Sequence, residues 1–134
     1  MQLSEDTRKS VILFQQTELT ESHIYKRLAK RIKSVENAKI IDQIADDELR
    51  HYNIWKGYTN EEVKPRWFIV WFYYIVSIVF GFTFGIKLME MGEEGAQKNY
   101  SDISMEIPEA AKIQKFIPSS TSAILAKSSP LNVK

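Results

Sequence analysis

Four residues that ought to face water lie instead on the apolar stripes of this chain's helices: Glu18, Glu48, His51 and Glu93. An amphipathic helix turns its stripe toward the core, and a buried carboxylate is costly unless it is paired or bound to a cation. A fold for this sequence must therefore bring these groups together.

Apolar residues recur at helical spacing along most of the chain. The first helix is expected over residues 6–32, with the stripe Val11, Phe14, Glu18, Tyr25, Leu28, Ile32. Ser34 is the expected N-cap of a second helix over 35–56. Its stripe is Ala38, Ile41, Ala45, Glu48, Tyr52, Trp55, with His51 one turn after Glu48 and Gly57 as the stop. Thr59-Asn60-Glu61-Glu62 has the spacing of a capping box, and Pro65 punctuates the connection. Trp67 to Ile86 is free of charged residues, long enough to be a membrane span by length alone. It continues into a segment with a polar face and the stripe Ile86, Met89, Glu93, Ala96, Tyr100, Ile103. One helix over 67–103 is expected, bent near Gly81 or Gly85. The fold class expected is all-α: a helical bundle of three clear helices and an incomplete fourth. Residues 1–113 form the helical domain, and 114–134, rich in Ser and Pro, form a disordered tail.

Composition narrows the chemistry. With 134 residues the chain is long enough for a real core. A net charge of +1, from 18 basic and 17 acidic residues, gives no argument for nucleic acid as a partner. Without cysteine, thiolate zinc sites, iron–sulfur clusters and disulfides are excluded. A metal would be held by carboxylates and by His23 or His51, a donor set that suits iron or manganese better than zinc. The N-terminus lacks the apolar core of an export signal, so a cytoplasmic location is expected, with membrane association through 67–86 as the alternative.

Glu48-x-x-His51 sets a carboxylate and an imidazole one turn apart on one helix face. Asp46, Asp47 and Arg50 fall off that face. Two helices with one inward Glu each and a third with Glu-x-x-His make three quarters of the ligand set of a di-iron carboxylate bundle. Glu21 can share or replace the role of Glu18, and Glu90 competes with Glu93. Tyr25 and Tyr100 each follow a candidate Glu by seven residues and can hydrogen-bond a ligating carboxylate, or be ordinary core tyrosines. His23 is expected at the surface.

The stretches TELTESHIYKRLA, NAKIIDQIADDELRHYNIWKGYT and GFTFGIKLMEMGEEGAQKNY resemble the rubrerythrin-like branch of the ferritin-like di-iron proteins. The nearest resemblance is to the domain sometimes fused to a vacuolar-iron-transporter-type membrane domain, and it covers roughly residues 8–113. It implies Glu18 as the first-helix ligand, Glu48 as the bridging carboxylate, His51 as a terminal imidazole and Glu93 as the third-helix ligand. Glu90 is then the extra carboxylate that exchanges on oxidation. The implied activity is oxidation of ferrous iron or reduction of hydrogen peroxide at a di-iron centre, in iron homeostasis or oxidative-stress defence. Two departures stand out. The family's second Glu-x-x-His is replaced by AKIQKFIPSSTSAILAK, which suggests a truncated or altered fourth helix. A rubredoxin-type Cys pair is missing, so a peroxidase would need an external electron donor. A homodimer is expected to restore the ligand set by symmetry and to cover the face a missing helix exposes. A non-catalytic remnant is the third reading.

Overall fold

The computed structural model describes residues 2–96, 100–108 and 110, with the backbone alone for 90, 93–96 and 100–102. The described residues are all-helical: α1 (Glu5–Ala29), α2 (Val35–Thr59), α3 (Trp67–Phe80), α4 (Phe82–Ala96) and α5 (Tyr100–Glu106). The expected tail, 114–134, and the end of the expected domain lie outside the described residues.

α1 starts where Ser4 Oγ accepts from the Thr7 amide at 3.3 Å. Glu5 and Asp6 in its first turn and Lys26 and Arg27 in its last complement the helix dipole. It ends at Ala29, so Ile32 joins the core from the connecting loop rather than from the helix. Ser34 caps α2 as expected, accepting from the Asn37 amide at 3.3 Å. α2 runs past Gly57 to Thr59, and Asn60 closes it in the left-handed conformation at φ 54°. Thr59 is thus the end of a helix and not the start of a capping box. Asparagine tolerates that backbone better than other non-glycine residues.

α1 and α2 are antiparallel partners. Ser22 Oγ donates to the Ala45 carbonyl at 2.8 Å, and Lys26 pairs with Asp42 and Asp46, each at 2.8 Å. Those two carboxylates raise the Lys26 ammonium above its ordinary value, Asp42 first. The loop after α2 is tied down along α1. Gln15 Nε2 donates to the Glu61 carbonyl at 2.8 Å, Gln16 Nε2 to the Lys64 carbonyl at 3.0 Å, and the Arg66 amide to Thr20 Oγ1 at 3.0 Å. Gln15 is fully buried, and its Oε1 accepts from Thr59 Oγ1 at 2.7 Å. Thr59→Val keeps the shape but strands that oxygen, and should destabilise the protein by about 1–3 kcal/mol. A lowered urea midpoint at unchanged slope is the expected reading.

The third segment departs from a single helix over 67–103. α3 starts beside Thr20 and runs parallel to α1, with Trp67 against His23 at 4.8 Å between ring centroids and Arg27 over Trp67 and Trp71 at 5.3 and 5.4 Å. Gly81, at φ 101° and ψ 152°, then breaks the helix, a backbone region open essentially to glycine alone. α4 folds back so closely that a Cβ on Gly85 would lie 3.1 Å from Ser77 Cα. The uncharged run is divided between helices of 14 and 15 residues, and among the described residues no helix is long and apolar enough to cross a membrane.

Two apolar clusters result. Ile24, Tyr25, Leu28, Ile32, Ile41 and Ile44 pack with Val70 of α3 and Phe82, Ile86 and Met89 of α4. At the other end Val11, Phe14 and Trp55 pack with Ile103, Ile107 and Ala110. α4 therefore meets the late part of α1 and α5 its early part, which makes this return path antiparallel to α1. Glu106 locks the return in place, accepting from Ser4 Oγ at 2.9 Å and Thr7 Oγ1 at 2.8 Å. The hydrogen bonds from Thr7 and then Ser4 hold its carboxyl below the usual range.

Candidate metal centre

Between the two apolar clusters, at the waist of the α1–α2 pair, lie Glu18, Glu48 and His51. The antiparallel register that pairs Ser22 with Ala45 and Phe14 with Trp55 sets Glu18 of α1 level with Glu48 and His51 of α2. All three are buried, at 2%, 3% and 5% exposure. Those values decide against a solvated acidic face. His51 Nδ1 lies 3.4 Å from Glu48 Oε2 and 3.7 Å from Glu18 Oε2. One donor atom from each residue falls within 4.8 Å of the others.

This spacing suits one ion. Metal bonds of about 2.0–2.2 Å place neighbouring donors about 3.0–3.5 Å apart, depending on the coordination angle. The separation of 3.4 Å falls inside that range and 3.7 Å just above it. His51 and Glu48 are hydrogen-bonded to each other at that 3.4 Å. The trio could hold a metal ion. Two anionic oxygens and one imidazole nitrogen form a hard, oxygen-rich donor set, and the apolar walls on both sides strengthen any charge interaction within it.

The other candidates are placed as follows. Glu21 is buried one turn after Glu18 but stands outside the convergent trio. Tyr25, 1% exposed, belongs to the apolar cluster with Ile24 and Leu28. Glu90 and Glu93 lie in α4 and Tyr100 begins α5, and their side chains are outside the described part. His23 is half-buried at the surface, against Trp67. Burial, followed by the charge of Arg27, pushes its imidazole below the ordinary value. Gln15 is buried as well and is no sequence candidate, because its burial depends on Thr59 and Glu61, partners more than forty residues away. Its place between Phe14 and the Glu18 turn was the available signal.

Compared with known proteins, the chain matches no family model, no curated protein and no solved structure.

Proposed function

We propose that this protein binds iron through Glu18, Glu48 and His51 and acts as a ferritin-like, rubrerythrin-type di-iron protein. The observation that carries this reading is the convergence of two buried carboxylates and an imidazole within 4.8 Å. Iron is favoured over zinc by the excess of carboxylate over imidazole and by the resemblance of the three segments described above, with manganese as an alternative occupant. Bound iron would supply the ferrous–ferric couple for oxidation by dioxygen or for reduction of hydrogen peroxide. The chain's own residues would do the rest. Glu18 and Glu48 provide anionic oxygens that favour the more highly charged ion. His51 presents Nδ1 as a neutral donor, which leaves the ring proton on Nε2. The surrounding apolar clusters keep bulk water away.

Three side chains do not complete a two-metal site. α4 carries Glu90 and Glu93 on the return path antiparallel to α1, and we assign these as the further ligands. A second copy contributing its own Glu18, Glu48 and His51 is the other route to a full set. Peroxide reduction would draw electrons from an external donor.

Anaerobic ferrous loading, with iron per chain and oligomer mass measured on one sample, tests this. Two irons per chain supports completion from α4, and two per dimer supports completion by symmetry. A folded protein that retains no iron would overturn the proposal in favour of a non-catalytic helical protein.

A further inference from the structure

The end of the molecule where α3 turns into α4 joins two features that no metal chemistry requires. The first is an apolar tip, the end of an exposed face that α3 carries along its length through Phe68, Trp71 and Phe72. Ile75, Val79, Phe80 and Phe84 are 56%, 66%, 68% and 51% exposed, with the Phe80 and Phe84 rings in contact at 5.5 Å between centroids. The second is a basic collar. α3 runs parallel to α1 from the level of Thr20, so its far end reaches the loop that joins α1 to α2, and Ile32 of that loop shares a cluster with Phe82. From 30 to 39 the chain carries Lys30, Arg31, Lys33 and Lys39 against a single acid, Glu36. Lys30, Arg31, Ile32 and Lys33 line a recess of about 330 Å³. Arg27 lies over Trp67 and Trp71 in the first turns of α3.

We propose that this end docks on an anionic lipid bilayer. Phe80, Phe84 and Val79 enter the boundary between headgroups and acyl chains, while Lys30, Arg31 and Lys33 remain among the lipid phosphates. Shallow insertion of an apolar edge combined with cationic contacts is how a protein lies on a membrane without crossing it. The charge pattern selects lipid over a second copy. A two-fold pairing through the tip would bring one copy's cationic collar toward the other's, whereas an anionic surface neutralises it.

The test is co-sedimentation of the metal-free full chain with vesicles of phosphatidylcholine alone or mixed with phosphatidylglycerol. Binding should be roughly tenfold or more tighter to the mixed vesicles and should weaken when salt rises from about 0.1 M to about 0.5 M. Brominated lipids should quench the emission of Phe80→Trp in a Trp55→Phe, Trp67→Phe, Trp71→Phe background. Phe80→Glu with Phe84→Glu, both at exposed positions, should abolish binding with the circular dichroism unchanged. Lys30→Glu, Arg31→Glu and Lys33→Glu together, which leave the tip intact, should remove the preference for anionic lipid. Absence of vesicle binding, or equal binding to neutral and anionic vesicles, would overturn the proposal. So would a dimer that the Phe80 and Phe84 substitutions split, since the tip would then belong to a second copy. Because the metal-free protein is used, the result is independent of the iron reading.

Discussion

Glu48→Ala and His51→Ala should each lower ferrous affinity on the order of a hundredfold or more, since replacing a supporting residue around a metal already costs about 10–100-fold and these would remove donors outright. Titration of the metal-free variants with ferrous iron under anaerobic conditions reads the loss. The accompanying stability change makes the result specific. Two buried carboxylates and an imidazole are a poor way to stabilise a core. Glu48→Leu should therefore leave the metal-free protein as stable as the parent, or more stable by about 1–2 kcal/mol. Loss of binding without loss of stability is the signature of residues held in place for a ligand. If Glu48→Leu instead destabilised the metal-free fold by about 3 kcal/mol or more, the trio would be a structural ion-pair network and the iron reading would fail.

Gly85→Ala should destabilise the protein by about 2–3 kcal/mol, as overpacking does in a close-packed interior. The added Cβ would meet Ser77 Oγ at 1.9 Å, Ser77 Cβ at 2.9 Å and Ser77 Cα at 3.1 Å. Rotating the hydroxyl away relieves only the first contact, so α4 must move off α3. Ser77→Gly combined with Gly85→Ala should recover part of the loss, because both side-chain contacts vanish. Thermal or urea unfolding of the four proteins in this cycle gives the coupling directly. Equal destabilisation by Gly85→Ala in the presence and absence of Ser77 would mean that the two helices do not meet there.

Much of the α1–α2 pair was legible in sequence because its signals are local. Ser34 precedes a periodic run and caps it, and the stripes containing Glu18 and Glu48 turn inward with the apolar residues that share them, Phe14 and Tyr25 on α1 and Ala45 and Trp55 on α2. The same periodicity could not place helix ends. Gly57 looked like a stop, yet α2 continues for two residues to Thr59, which Gln15 fixes from the other helix. The long third segment misled for a related reason. An unbroken apolar run has no polar face to mark a change of direction, so Gly81 read as a bend when it is a reversal.

What the sequence by itself determined is the all-helical class, the α1 and α2 stripes and the candidate ligands Glu18, Glu48 and His51. Each of these depends on the 3.6-residue period or on side-chain chemistry, both of which are written locally. Only the tertiary structure decided that Glu18 meets the other two across an antiparallel register and that α3 turns its aromatic face outward. Those outcomes follow from contacts between residues far apart in the chain: Ser22 with Ala45, Gly85 with Ser77, and Glu106 with Ser4. No local pattern encodes such pairings, because the free energy that selects them comes from burying surfaces of different helices against one another.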